Sequence, residues 1–243
     1  MNYYFLMEDE KSLLKILPHW LNYLGFKSIR VPDISCVSEN NYVLQSGQGV
    51  VQLITKVLFE TIETIQNYPN KIDKLVVILD AENETVSSRK QQVINKIAEK
   101  YRIADLGFNI EIFVCNCCTE TWLLGRKELY PQPVEVVPSA KNYRYFCKHF
   151  ESHYHHYNIE EDDPELMLLP GGINETRARY HFSYFHDLCL YNYLTKKESL
   201  KYSKSKPQLA MEKRFFDGLM ERINTTEHLK SLKEFIEFLK NDG

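Results

Sequence analysis

Hydrophobic residues in the first half of the chain alternate between short continuous runs and longer stretches with helical spacing. The run from Tyr3 to Met7 is apolar throughout, as in a buried strand. The stretch "KSLLKILPHWLNYLG" follows, with apolar residues three and four positions apart, and it ends at Gly25. This part of the sequence therefore predicts a strand followed by a helix.

The same alternation occurs three more times. The predicted strands are "NYVLQSG", "KLVVILD" and "NIEIFVC", and the stretches predicted to be helical after them are "GVVQLITKVLFETIETIQNY", "VSSRKQQVINKIAEKYR" and "TETWLLGRKEL". The run from Leu75 to Leu79 contains only Leu, Val and Ile, which is typical of a strand covered on both faces. Strands that alternate with helices predict an α/β fold with a mostly parallel sheet flanked by helices.

The pattern changes after about residue 131. The segment "PQPVEVVP" predicts a proline-rich joint. Beyond it lie an aromatic and histidine-rich stretch, the acidic turn "EEDDPE" and helical segments that end in "HLKSLKEFIEFLK". We therefore predict an α/β core over residues 1–130 and a predominantly helical C-terminal extension over residues 131–243.

Composition limits the function classes. The 243-residue chain has a formal net charge of −3, so any contact with nucleic acid must depend on a local basic surface. It has no apolar run of roughly 20 residues and no basic, then apolar, N-terminal leader, which predicts a cytoplasmic protein without a membrane segment. The six cysteines are expected to be free thiols in that compartment. For "CNCC" we expect buried structural thiols rather than a zinc site, because a second ligand pair is missing.

Acidic residues follow three of the predicted strands. Glu8 comes after the first, Asp80 and Glu82 come after "LVVIL", and Glu120 lies just beyond "IFVCNCC". The carboxyl ends of parallel strands meet at one edge of a sheet, where ligands bind. Carboxylates gathered there repel one another, and Mg²⁺ or Mn²⁺ can supply the counter-charge. Such an ion activates water against a phosphodiester, so the pattern indicates metal-dependent hydrolysis.

Simpler roles are open for each group of acids. Glu8, Asp9 and Glu10 could cap the helix that follows them, since acids favour helix N-termini. The segment "DAENE" could be a solvated turn, and Glu120 could be a first-turn helix acid. Their shared position at the ends of successive strands favours the ligand role.

Three segments together resemble the Toprim family. They are "FLMEDEKSLLKILPHWL", "VVILDAENE" and "CNCCTETWLLG", which match an acid ending the first strand, a D-x-D-like pair and a further strand-end acid. The phrase "TETWLLG" is similar to the "E-x-W-L-L" segment of small stand-alone Toprim-like proteins, the group described as DUF4276 or as relatives of the abortive-infection protein RloB. The resemblance covers about residues 1–130.

The resemblance implies metal-dependent phosphodiester chemistry. It implies Glu8 as general base or metal contact, Asp80 and Glu82 as metal ligands, and Glu120 as a further acid of the catalytic site. It also implies a sheet of the Toprim type.

The sequence departs from the family pattern at three positions. Asp9 stands where a glycine usually follows the first acid, and Ser12 stands where a further acid often occurs. Glu82 replaces the second Asp of D-x-D. Glutamate keeps the charge, and Glu10 could replace the missing acid.

Two further segments contain candidate residues. The segment "KYSKSKP" carries Lys201, Lys204 and Lys206. A solvated helix end is the simpler interpretation, but related Toprim nucleases place a lysine near their metals, and we take Lys206 as the catalytic candidate. The histidines of "HYHHY" (His153, His155 and His156) are interpreted as part of an aromatic patch rather than as metal ligands.

The leading hypothesis is a Mg²⁺- or Mn²⁺-dependent nuclease acting on DNA or RNA. The resemblance also implies a role as effector in bacterial anti-phage or mobile-element defence, with an operon-encoded partner such as an ATPase. One alternative is a non-catalytic Toprim-like interaction module of a larger assembly. Another is a nucleotidyl or phosphoryl transferase that uses the same acids.

Overall fold

The computed structural model describes residues 1–129, 141–154, 158, 161–171, 174–196 and 202–242. The predicted proline-rich joint lies outside the described residues, and so do His155, His156 and Lys201. Among the helices that are described, none is long and apolar enough to cross a membrane.

The centre of the fold is a five-stranded sheet in which every pairing is parallel. In chain order its strands are β1 (Tyr3–Met7), β2 (Ile29–Arg30), β3 (Asn41–Ser46), β4 (Lys74–Asp80) and β5 (Asn109–Cys115). The spatial order is β2-β3-β1-β4-β5. The prediction of a mostly parallel α/β sheet flanked by helices is confirmed. The structure adds one short strand, β2, that the sequence did not predict.

Helices connect the strands and form most of the described chain after them. The helices of the first half are α1 (Leu13–Tyr23), α2 (Val50–Gln52), a π-helical segment (Leu53–Val57), α3 (Leu58–Gln66), α4 (Val86–Ala98) and α5 (Thr119–Leu123). Those of the second half are α6 (Lys141–Tyr154), α7 (Arg177–Lys196), α8 (Gln208–Met211), α9 (Lys213–Thr225) and α10 (Lys230–Asp242). Short 3₁₀ turns occur at Ile34–Cys36, Ile103–Asp105, Lys127–Leu129 and Pro164–Leu166.

Strand β4 is buried on both faces, as its sequence predicts. Its side chains from Leu75 to Leu79 are at most 1% exposed. Val76 and Ile78 point into one hydrophobic core, while Leu75, Val77 and Leu79 point into the other. Because successive strand residues face opposite sides, an uninterrupted aliphatic run suits only a strand with protein on both sides.

The larger core joins the sheet to the C-terminal helices. The ring of Trp122 in α5 stacks on Phe235 of α10 at 5.8 Å, and Trp20 of α1 lies 5.5 Å from Phe216 of α9. The indole N–H of Trp20 also donates to the carbonyl of Ala210 at 2.9 Å. These contacts fix the second half of the chain on one face of the sheet, so its loops can reach the strand ends.

Strand order places a crevice between β1 and β4. In the sheet, β2 and β3 lie on one side of β1, and β4 and β5 lie on its other side. In open parallel sheets, ligands bind at such a switch point, beyond the carboxyl ends of the strands. The β1–β4 ladder continues one residue past β1, where the N–H of Glu8 donates to the carbonyl of Ile78 at 2.9 Å. The switch point is therefore bordered by Glu8 and Asp80.

Candidate functional site

Glu8 and Asp80 form a pair at this switch point. The backbone N–H of Asp80 donates to Oε2 of Glu8 at 2.6 Å. Each residue stands at the carboxyl end of its strand, and the two strands are hydrogen-bonded neighbours. The two carboxylates predicted from separate segments therefore come together.

The surroundings of the pair disfavour two negative charges. Burial raises the pKa of Glu8 to about 7, against the opposing effect of the hydrogen bond from the Asp80 N–H. Burial and the neighbouring charges of Glu8 and Glu120 raise the pKa of Asp80 well above its usual range. A nearby cation favours the ionised form of a carboxylate, so both groups gain from bound positive charge.

Helix α5 orients Asp80. The backbone N–H of Thr119, the first residue of α5, donates to Oδ1 of Asp80 at 3.1 Å. The hydroxyl of Thr119 lies 3.5 Å from the same oxygen. The Asp80 carboxylate is thus held by Thr119, in the helix that follows β5, while the backbone of Asp80 is fixed at the end of β4.

Glu82 lies further from the pair. It has a positive φ of 55°, and its half-exposed side chain places Oε2 3.6 Å from Nη2 of Arg89. Arg89 is buried, and its Nη2 donates to the carbonyl of Ala81 at 3.1 Å. The charge of Glu82 still contributes to the raised pKa of Glu8. The structure therefore brings Glu82 within electrostatic range of Glu8 while pairing its carboxylate with arginine.

The acids after Glu8 have separate roles. The Asp9 carboxylate accepts the backbone N–H groups of Lys11 at 2.7 Å and of Ser12 and Leu13 at 3.0 Å. It also accepts the Ser12 hydroxyl. Asp9 therefore caps α1, as the simpler interpretation of this segment proposed, while Glu10 is exposed to solvent.

Glu120 connects the site to the C-terminal half of the chain. It is fully buried in α5, and its Oε1 accepts the hydroxyl of Tyr202 at 2.8 Å. Its Oε2 lies 3.6 Å from Nζ of Lys204 and has no hydrogen-bond partner among the described residues. Glu120 therefore fixes the segment that begins at Tyr202 beside the acid pair.

Lys204, rather than Lys206, lies among the acids. Burial by itself lowers the pKa of Lys204, but the negative charges of Glu120, Asp80 and Asp9 outweigh it and raise that pKa above its ordinary value. The side chain of Lys206 is exposed, and its backbone N–H closes a turn on the carbonyl of Ser203 at 2.9 Å. Both lysines belong to "KYSKSKP", and nothing in that segment alone distinguishes them.

The cysteines of "CNCC" are buried free thiols, as predicted. Cys117 and Cys118 surround the hydroxyl of Thr121, which also lies 2.8 Å from Nδ1 of the buried His181. His153, the described member of the histidine run, packs edge-on against Tyr154 at 4.7 Å between ring centroids. His153 therefore belongs to an aromatic cluster, whereas Cys117 and Cys118 lie just beyond β5, directly before the helix that holds Asp80.

The donor set suits a hard divalent cation held by two carboxylates. Within the described part of the chain, no three His, Cys, Asp or Glu side chains are arranged as a metal-ligating group. Mg²⁺, however, commonly uses one or two protein carboxylates and completes its shell with water and substrate phosphates. Glu8 and Asp80 fit that use, because burial and neighbouring carboxylates disfavour their ionised forms, and a bound cation would supply the positive charge that stabilises those forms.

Comparison of the chain with protein-family models, with curated proteins and with solved structures gives no match. Fold and site thus define a parallel α/β protein with two partly buried carboxylate residues, Glu8 and Asp80, at its switch point.

A separate buried carboxylate, Glu165, lies under the N-terminus of α10. It is 5% exposed and accepts the backbone N–H of Ser231 at 3.0 Å together with its hydroxyl. Burial raises the pKa of Glu165 from 4.5 to about 7. The folded protein therefore binds this proton more tightly than the unfolded chain does.

We expect Glu165→Gln to reduce the pH dependence of stability. Because the folded-state pKa is the higher one, the wild type loses free energy of unfolding as pH rises from 4.5 to about 7. The difference between these values corresponds to at most about 3 kcal/mol, and glutamine, which does not ionise, removes it. Urea unfolding at pH 5 and pH 8 measures the change. Glu227→Gln, at a side chain that is 97% exposed, is the control. A Glu165→Gln protein with the wild-type difference between the two pH values would contradict the assignment.

Proposed function

We propose that this protein is a metal-dependent nuclease of the Toprim type that cleaves phosphodiester bonds at the Glu8–Asp80 pair. The observation that carries the proposal is the contact between Glu8 and Asp80 at the switch point of a parallel sheet, where the backbone N–H of Asp80 donates to Oε2 of Glu8 at 2.6 Å. The Toprim-like strand-end acids in the sequence support the same reaction class.

Each residue around the pair has a chemical role in this proposal. Asp80, oriented by Thr119, and Glu8 would hold Mg²⁺ or Mn²⁺, and that ion would supply Lewis-acid stabilisation and an activated water. If Glu8 instead stayed off the ion, its carboxyl, with a pKa of about 7, could accept a proton from water at neutral pH. Lys204 would offer its positive charge to the phosphate oxygens. Glu82 would join the ion only by leaving Arg89.

The direct test is a cleavage assay on single- and double-stranded DNA and RNA with Mg²⁺, Mn²⁺ or EDTA. Cleavage that requires either ion supports the proposal. The defence role and the operon-encoded partner are predictions from the family resemblance, so the assay includes such a partner where the operon encodes one. Wild-type protein that stays inert with its partner and both ions would reject the nuclease proposal.

We expect Lys204→Ala to lower the cleavage rate more than Lys206→Ala. Lys204 lies 3.6 Å from Glu120 and acts electrostatically on Asp80, whereas the Lys206 side chain is exposed. A loss of about tenfold or more in kcat/KM is expected for Lys204→Ala. If Lys204 contacts a phosphate, the slope of log affinity against log salt also falls by about one. The matched control is Lys206→Ala, two residues away, and equal effects of the two variants would contradict this placement.

A non-catalytic interaction module is the second candidate. The observation that favours it is Lys204, whose ammonium group already compensates the buried acids. Calorimetric titration with Mn²⁺ distinguishes the candidates. A nuclease site gives a saturable heat that Asp80→Asn removes, whereas an interaction module gives none.

A further inference from the structure

A cavity of about 720 Å³ is lined in part by the loop that follows β4 and Asp80. One wall is the loop after β4, including Asn83 and Thr85, together with Asn116 after β5. The opposite wall contains Leu166 and Leu168 and the first turn of α10. This volume lies within the roughly 300–1,000 Å³ typical of small-molecule sites.

The cavity lies within reach of the proposed reaction centre. Asn83 is three residues beyond Asp80, so their Cα atoms are at most about 11 Å apart. The loops after β4 and β5 are joined where the N–H of Glu82 donates to the carbonyl of Cys117 at 2.8 Å. A molecule in the cavity can therefore be linked to a group at Asp80 by one or two nucleotide units.

Hydrogen bonds hold the walls in place. Nε of Arg177 donates to the carbonyl of Met167 at 2.9 Å, and its Nη1 donates to Oδ1 of Asn116 at 3.2 Å. The amide of Asn116 donates to the carbonyl of Glu165 at 3.3 Å. Arg177 and Asn116 thus connect the strand-end wall to the Leu166–Leu168 wall, and the site exists before a ligand arrives.

The lining combines apolar faces with balanced charge. Leu166 is 73% exposed and Leu168 is 68% exposed, so two large apolar side chains are available for contact on one wall. The lining contains three cationic residues and three acidic ones, which are Lys90, Arg177 and Lys230 and Glu84, Glu165 and Glu234. Such a lining offers no excess positive charge for a phosphate. It suits a neutral, flat ring with apolar faces and a polar edge.

We propose that this cavity binds an unpaired nucleobase of the strand whose phosphodiester lies at Glu8 and Asp80. The inference rests on the proposed nuclease function and names its substrate class as single-stranded or locally unpaired nucleic acid. A base paired within a duplex has its faces stacked and its edge occupied, so it must leave the helix to enter a pocket. A single strand presents the same base without that cost.

Fluorescence anisotropy in EDTA tests the pocket without cleavage. The probes are a labelled single-stranded 12-mer and its duplex, and the variant is Leu166→Ser combined with Leu168→Ser. We expect the single strand to bind at least about tenfold more tightly than the duplex, and the double variant to lose about tenfold of that affinity. Both leucines are exposed, so folding is preserved. Ile29→Ser, at a side chain that is 70% exposed on β2, is the control. Equal affinity for single strand and duplex, or an unaffected double variant, would overturn the proposal.

Methyl NMR separates this inference from the nuclease proposal. Cytidine or adenosine, added without metal, should shift the methyl signals of Leu166 and Leu168, and ribose 5-phosphate, which has no base, should not. Base-dependent shifts in a protein that cleaves nothing would support the pocket while the nuclease proposal fails. Cleavage by a wild type whose leucine signals do not respond to the nucleosides would overturn the pocket while leaving the nuclease proposal in place. Shifts with free nucleosides but equal binding of single strand and duplex would identify a free-nucleoside site and overturn the assignment to a nucleic-acid strand.

Discussion

Replacing Asp80 with asparagine is expected to lower metal-dependent cleavage by about a hundredfold or more while leaving the fold intact. Asparagine keeps the shape of the side chain and an oxygen that can accept the Thr119 N–H, which lies 3.1 Å from Oδ1 in the wild type. It removes the negative charge that would hold the ion at the end of β4. A hundredfold loss corresponds to about 2.7 kcal/mol of transition-state stabilisation.

The assay compares initial rates with saturating Mn²⁺ and equal concentrations of folded protein. Circular dichroism and the Tm establish that Asp80→Asn is folded. Asp105→Asn is the control, because Asp105 belongs to an exposed ion pair with Arg102 rather than to the strand-end crevice. Equal cleavage by the wild type and Asp80→Asn would show that the activity belongs to another site or to a contaminant.

Val77→Asp is expected to prevent folding. Val77 is 0% exposed in the middle of β4, between strands β1 and β5. An aspartate there would place a charge or an unpaired carboxyl among aliphatic side chains, which costs about 4–5 kcal/mol or more. Domains are commonly stable by only about 5–15 kcal/mol, so such a cost removes most or all of the stability.

Thermal unfolding followed by circular dichroism measures this effect. The matched control is Val51→Asp, the same substitution at a side chain that is 71% exposed, where a change within about 1 kcal/mol is expected. A soluble Val77→Asp protein with a cooperative transition at the wild-type Tm would contradict the buried position of β4.

The main strands could be predicted because buried strands need runs of apolar residues, and those runs are visible in the sequence. An aliphatic run such as Leu75 to Leu79 has few arrangements other than a strand covered on both faces. Strand β2 could not be predicted, since Ile29 and Arg30 are exposed and only their pairing with β3 defines them. Strand order could not be predicted from the sequence either, because it depends on which hydrophobic faces meet in three dimensions.

The site was predictable only in part, for the same reason. Glu8 and Asp80 each follow a recognisable strand, so their position at the carboxyl edge is a local property. Their contact depends on the pairing of β1 with β4, and the approach of Lys204 depends on helices packed from the other half of the chain. The D-x-D-like pattern likewise does not predict the exposed turn that places Glu82 beside Arg89.

Anomalous diffraction from crystals grown with Mn²⁺ would locate the ion directly. We expect one Mn²⁺ peak at the carboxyl ends of β1 and β4, with carboxylate oxygens of Glu8 and Asp80 roughly 2.1 Å from the ion, the distance typical of the octahedral oxygen sites that Mg²⁺ and Mn²⁺ share. The same crystals of Asp80→Asn should lose the peak. Crystals at saturating Mn²⁺ with no ion in this crevice, and with Lys204 still beside Glu120, would contradict a metal site at Glu8 and Asp80.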